Sequence, residues 1–362
     1  MKKRCFGLDI IRIVATLMII GVHSMSKNGF YDMNITIKAG PFLFILTMLR
    51  WLLFACVPIF IIITGYLKKN KKPDKNHYKS IIKIIIDYLI ICGIFIAYHQ
   101  FYLNIDMFNL ETLVNILNFN LIPYAWYLQL YVGLFLIIPF LNIMYNNIPT
   151  KKLKRMLIII LVVMCGFDST INPLFKMIFE VDYNLILKTD FPIAYPLSLY
   201  FLGAYIREYQ PKIPKIKNII YILITLIIQT ILTYCYCQGD PFSWSITGGY
   251  GNIFTFIVAG LVFCLFYNIN IKKTSVITDK IIPYLSDCSF SVYLVSYLVD
   301  LHFYKYITYL HMPWYKTILL FPLSVILHYM VCVIIVSIVN LFKNIIKQFF
   351  NIFAGLKEDK ND

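Results

Sequence analysis

Residues 42–67 read FLFILTMLRWLLFACVPIFIIITGYL, and Arg50 is the only charged side chain among them. An α-helix crosses the hydrocarbon core of a bilayer in about 20 apolar residues. A run this long therefore predicts a membrane span, and the same pattern repeats on both sides of it. Ten spans are predicted, at residues 8–26, 42–67, 80–102, 122–145, 154–172, 190–208, 217–236, 250–269, 284–304 and 316–342. Polar connections separate them, including a lysine-rich loop at 68–79, a short loop at 146–155 around Pro149, and a Pro/Lys loop at 210–217. Composition agrees. Of 362 residues, 60% come from the set AVILMFWYC and 14% are charged, against about 45–50% and about 25% in a soluble domain. Mean hydropathy is +0.73. The expected fold is all-α, a polytopic membrane protein of about ten transmembrane helices. Pro58, Pro139, Pro192, Pro196, Pro283 and Pro322 are expected to kink spans, which neighbouring helices tolerate by re-satisfying backbone groups.

The chain carries 33 Lys and Arg against 18 Asp and Glu, a net charge of +15. In a soluble protein that balance raises nucleic acid as a partner. Here the basic residues sort by loop. Counted with the N-terminus inside, 25 lie in the segments 2–4, 68–83, 151–155, 207–217, 272–280 and 343–360. Six lie on the other side (Lys27, Lys38, Lys176, Lys188, Lys305 and Lys316), and Arg12 and Arg50 fall within spans. By the positive-inside rule both termini are cytoplasmic, residues 1–345 form one membrane domain, and 346–362 form a short polar cytoplasmic tail. No helix face concentrates the lysines, so nucleic acid is rejected as a partner and the lipid bilayer takes its place. The stretch after Met1 imitates a signal peptide, but Asp9, Arg12 and His23 interrupt it and no small-residue cleavage site follows. A retained first helix is expected.

Nine cysteines are scattered, mostly within apolar runs, without CxxC or the Cys/His spacing of a zinc site. They read as small buried hydrophobes, and no metal site is expected. Gly248 to Gly251 reads Gly-Gly-Tyr-Gly without a following Lys-Ser/Thr, so it is rejected as a phosphate loop.

Ionisable side chains inside a span are costly and mark candidate sites. The first span has three. Arg12 and His23 are eleven residues apart, which at about 100° per residue is three turns plus about 20°, so they share a face about 16 Å apart along the axis. Asp9, three residues before Arg12, can pair with it. The competing reading is a snorkelling Arg12 with a structural Asp9 and an interfacial His23. Asp87 is expected to pair with Lys83 on one helix face. His99, Asp300 and His302 lie near outer helix ends, where they line an acceptor cleft or are simply solvated. His328 is expected to hydrogen-bond between helices.

LDIIRIVATLMIIGVHS (8–24) resembles the opening of the acyltransferase 3 family of membrane proteins, with its Arg, ten residues, then His. The resemblance continues in VPIFIIITGYL (57–67), with Thr64 where the family has Ser, and in AWYLQLYVGLFLIIPFLN (125–142). LYFLGAYI (199–206) and SFSVYLVS (289–296) are similar to the family's late Gly-containing helix and its Ser-Phe-x-x-Tyr-Leu segment. Five matches in order cover most of the chain. The family often has His near the Trp of the fourth helix and at the end of the Tyr-Leu segment, where this chain has Tyr124 and Ser296. Those changes bear on the acceptor more than on the reaction.

The resemblance implies transfer of an acyl group, commonly acetyl from acetyl-CoA, to a hydroxyl of a cell-envelope carbohydrate or lipid-linked sugar by a multi-pass protein of the cell membrane. No cofactor is bound permanently, and acyl-CoA is a substrate. His23 is then the base, since imidazole suits removal of a hydroxyl proton. Arg12 holds the acyl-CoA donor and Asp9 orients Arg12. Arg50 stabilises an oxyanion, binds an anionic acceptor or anchors beside Trp51. Trp126 and Tyr127 stack a sugar or form an aromatic belt, and Ser296 lies on the acceptor side. Thr64, Gly65 and Tyr66 are expected to let helices approach closely. Ser24 is set aside as an acyl carrier, because neighbours on a helix diverge by about 100°. The acceptor either meets the membrane site or draws on a separate acyl-accepting protein. The alternative is a transporter or exporter of a small solute or glycan on the same helices, and a non-catalytic scaffold is the third reading.

Overall fold

A helix in water hides its apolar side chains, whereas helix Lys215–Cys237 hides its polar ones. Asn218, Thr225, Gln229, Thr230 and Thr233 are buried, while Ile220, Leu223, Ile224, Ile227, Ile228 and Ile231 are exposed. That arrangement is stable only where the surroundings are themselves apolar. The computed structural model describes residues 4–179, 191–242, 249–269, 275–310 and 312–358, and among them there is no strand. The principal helices are α1 (Phe6–Lys27), α2 (Pro41–Phe54), α3 (Cys56–Lys68), α4 (Ile82–Ala97), α5 (Trp126–Asn146), α6 (Lys151–Gly166), α7 (Tyr195–Tyr209), α8 (Lys215–Cys237), α9 (Ile253–Phe266), α10 (Ile282–Tyr306) and α11 (Trp314–Glu358).

Each predicted span coincides with helix, but not with equal length. Among the described residues, seven helical stretches are long and apolar enough to cross a membrane: Phe6–Lys27, Pro41–Lys68, Lys75–Tyr102, Pro123–Asn146, Lys215–Cys237, Ile277–Tyr306 and Trp314–Ile345. The predicted span at 154–172 is α6 followed by a second helix bent 63° away. Those at 190–208 and 250–269 are the shorter helices α7 and α9, of 15 and 14 residues. Span 42–67 breaks at Ala55, between α2 and α3. Pro58 lacks an N–H and its ring crowds the carbonyl four residues back, that of Phe54. Pro139 and Pro322 do sit inside helices. Pro196 and Pro283, expected to kink spans, instead occupy the first turns of α7 and α10, where the missing N–H costs nothing.

The first helix is central and packs against α2, α3, α9, α10 and α11. The most extensive pairing is α3 with α7, and two glycines explain it. A Cβ on Gly65 would lie 2.0 Å from the Tyr200 carbonyl oxygen, and one on Gly203 would lie 2.1 Å from that of Ile62. The close approach expected around Thr64 to Tyr66 is present, and its partner is the glycine of LYFLGAYI. At the end of the bundle that carries the α1–α2 connection, the Ile35 amide donates to Asp240 and the Gly239 amide to Ile35, at 3.0 and 3.1 Å, joining that connection to the loop after α8. Gly203→Ala and Gly65→Ala are each expected to lower the melting temperature in detergent by several degrees. Gly133→Ala, with nothing within 4 Å of the added Cβ, is expected to leave it unchanged or slightly raised.

Candidate active site

Asp9 is buried on α1, and such a carboxylate must be paired. Arg4 supplies the pairing in bidentate form, Nε to Oδ2 at 2.7 Å and Nη2 to Oδ1 at 2.9 Å. The Ser286 hydroxyl of α10 donates to Oδ1 at 2.8 Å. Arg12, the partner expected from spacing, is present but more distant, its Nη1 lying 3.6 Å from Asp9 and 3.3 Å from Ser286 Oγ. Arg4 also bridges to Asp287 at 2.9 and 3.0 Å and to the Pro283 carbonyl at 2.8 Å. Its hydrogen bonds to Asp9 and Asp287 push its pKa further up from an already high value, so the guanidinium is a permanent charge.

Two cavities meet at this cluster. A polar vestibule of about 560 Å³ is lined by Arg4, Asp9, Arg12, Tyr66, Arg207 and Asp287, among others. A largely apolar cavity of about 290 Å³ runs inward past Phe60, Ile63, Tyr127, Tyr131, Phe290 and Tyr293 as far as Ile19. Arg12, Leu67 and Asp287 line both. Arg207 of α7 holds its place in the vestibule wall by donating to the Tyr66 hydroxyl at 3.1 Å. Ile19 is four residues before His23 and so lies on the same stripe of α1.

His23 lies beyond the inner end of that cavity, its imidazole stacked on the Tyr124 ring at a centroid distance of 3.7 Å and an interplanar angle of 14°. The Tyr124 hydroxyl donates to Asp300, and the other Asp300 oxygen is 3.4 Å from Nδ1 of His328 on α11. Ser24 points elsewhere and shares a hydrogen bond of 2.6 Å with the Tyr309 hydroxyl.

A family model described as an acyltransferase domain matches residues 6–337, nearly the whole chain. The chain belongs to the acyltransferase 3 family. No curated protein and no solved structure matches it. It is therefore a membrane acyltransferase. Membership in an enzyme family also separates it from the transporter and scaffold readings.

The remaining candidates divide. Tyr127 lines the apolar cavity and meets Tyr293 edge to face at 6.2 Å. Trp126 instead stacks on Tyr250 (5.5 Å), which stacks on Phe54 (4.3 Å). Arg50 is fully buried, unlike an interfacial anchor. Its guanidinium lies over the rings of Trp51, Phe54 and Phe242 at 4.1 to 4.3 Å, and its Nε donates to the Tyr31 hydroxyl at 3.2 Å. Ser296 is buried and donates to the Tyr293 carbonyl of its own helix at 2.7 Å. His302 pairs with the Tyr98 hydroxyl, and His99 with the Phe95 carbonyl at 2.9 Å. Asp87 pairs with Lys343 of α11 at 2.7 Å rather than with Lys83, because α4 turns Asp87 toward a neighbouring helix. Gly248 lies outside the described residues.

Sequence reasoning missed Arg4 and Arg207, both absorbed into the topology count, and it read Tyr124 only as a departure from the family. Arg207 and Tyr124 had no local signal, since each acts through partners distant in the chain, whereas Arg4 had one in Asp9, five residues on, ahead of the helix that spacing arguments describe. Arg4→Ala leaves the buried Asp9 with the neutral Ser286 hydroxyl and the more distant Arg12 in place of a bidentate charge, so a marked loss of thermal stability is expected. Asp287→Asn alters an exposed pair, and a change of about 0–1 kcal/mol is expected. Thermal unfolding of the purified variants in detergent compares the two.

Proposed function

We propose that this acyltransferase takes an acetyl group from acetyl-CoA and transfers it to a hydroxyl of a cell-envelope carbohydrate or lipid-linked sugar, at the cell membrane. The observation that carries the reading is the pair of cavities sharing Arg12. An acyl-CoA has the same two-part character, a phosphate-bearing nucleotide followed by a slender arm that ends in the thioester. A vestibule rimmed by Arg4, Arg12 and Arg207 suits the first part, since guanidinium forks match phosphate geometry. The aromatic cavity suits the second. The loop charge bias supports a cytoplasmic position for the vestibule and for both termini, which is the side where acyl-CoA is found.

In this reading the acceptor approaches from the His23 end. The imidazole takes the hydroxyl proton as the oxygen bonds to the thioester carbon. When the C–S bond breaks, the proton passes from His23 to the departing sulfur, and free CoA leaves by the vestibule. No covalent acyl-enzyme is needed, in keeping with the engagement of Ser24 by Tyr309. Arg12 acts as a positioning charge where the two cavities join, with Asp9 behind it. Arg50, caged by aromatic rings, takes a structural part in holding the α2 wall.

His23→Ala and Arg12→Ala, inserted at normal levels, are expected to abolish transfer of labelled acetyl from acetyl-CoA into envelope material. Undiminished labelling in both variants sinks the assignment. Orientation is tested separately, by replacing the exposed Cys235 and introducing Lys72→Cys in the 68–79 loop. A membrane-impermeant thiol reagent is expected to leave that cysteine unlabelled in intact cells and to label it once the membrane is opened.

A further inference from the structure

Tyr124 and Asp300 line neither cavity and take no part in the reaction as described, yet the Tyr124 ring is in direct contact with His23. It lies almost parallel to the imidazole at 3.7 Å and is backed by the Tyr297 ring at 5.0 Å, edge to face. Its hydroxyl donates to Asp300, which is 4% exposed. The second Asp300 oxygen faces His328, itself packed on Phe303 and Tyr304. The four groups come from α1, from the turn Pro123–Ala125 before α5, from α10 and from α11. Nothing local brings them together, so a buried carboxylate has been placed two contacts from the imidazole by the whole fold.

We propose that Tyr124 and Asp300 are positioning residues for His23, fixing the plane of its ring and stabilising the imidazolium formed when it takes the acceptor proton. The inference rests on His23 being the base. As the hydroxyl oxygen bonds to the thioester carbon, positive charge appears on the imidazole, and it disappears when the proton moves on to the CoA sulfur. Tyr124 and Asp300 keep their own protonation throughout and exchange nothing. An aromatic face attracts a cation, and a phenol that donates its hydrogen to a carboxylate has a more electron-rich face. In an apolar interior the carboxylate's own field adds to that attraction. A purely structural role would require only that the ring be present and that the carboxylate have a donor.

The test uses the full chain in isolated membranes supplied with labelled acetyl-CoA and the cells' own envelope fraction. Tyr124→Phe keeps the stacked ring and removes the bond to Asp300. Asp300→Asn keeps an acceptor for the Tyr124 hydroxyl and removes the charge. Each is expected to lower kcat about tenfold with KM for acetyl-CoA within about twofold, the order of effect when a carboxylate two contacts away stops stabilising the imidazolium in an apolar site. The double variant is expected to lose no more than either single one, because both act through one bond. Tyr124→His, which keeps both an aromatic face and an N–H donor, is expected to recover most of the rate. Wild-type kcat in Tyr124→Phe, or a change confined to KM, overturns the proposal. If Asp300→Asn fails to accumulate, the Phe and His variants at position 124 decide alone. His23→Ala in the same membranes separates the two readings. If it retains the wild-type rate, the base assignment itself fails. If it is inactive while Tyr124→Phe is fully active, only the positioning role fails.

Discussion

A single buried carboxylate organises the vestibule end of this molecule. Asp9 gathers Arg4 from the segment preceding α1, Arg12 from α1 itself and Ser286 from α10, all within 3.6 Å. A carboxylate without partners in an apolar interior is costly, so the three donors are obligatory company. Their convergence has a consequence for function. With Asp9 bound in bidentate form by Arg4, Arg12 stands 3.6 Å from Asp9 and 3.3 Å from Ser286 Oγ while lining both cavities. The pairing that satisfies the fold therefore also sets a second arginine where the two cavities join.

The same logic operates at the opposite end of α1 with different chemistry. There the imidazole of His23 is stacked on a ring face, and a buried carboxyl group, Asp300, lies one step further back. Between the ends, α1 presents Ile19 to an aromatic cavity, so a polar mouth, an apolar passage and an imidazole follow one another along one helix. Lipid surrounds this arrangement. The isoleucine face of α8 and its buried Gln229 and Thr233, of which Thr233 accepts from the Trp51 indole at 3.0 Å, show polar groups turned inward for lack of any partner outside.

Much of this was legible in the sequence, and the reasons differ by feature. Apolar runs report spans because bilayer thickness sets their length, and 42–67 needed nothing else. The shared face of Arg12 and His23 followed from helical geometry alone. Proximity along the chain misled at Asp87, where the i,i+4 partner Lys83 was set aside for Lys343, more than 250 positions away. It misled in part at Asp9, whose tighter partner, Arg4, precedes the helix. Tyr124 was visible only as a departure from a family pattern, because its contacts with His23 and Asp300 depend on how three separate parts of the chain pack. Spacing describes one helix at a time, and the candidate site is assembled from several.

The crossing of α3 and α7 bears on how the vestibule can move. Gly65 and Gly203 place two main chains in contact, and Tyr66 and Arg207, next to and one turn beyond them, form one rim of the mouth. Side chains can swing aside, but a backbone carbonyl pressed against a neighbouring helix leaves no room to slide. That rim is consequently a fixed jaw. Another vestibule arginine, Arg4, is instead held by side-chain contacts to Asp9 and Asp287 and by one carbonyl, contacts that an incoming anion can compete for one by one.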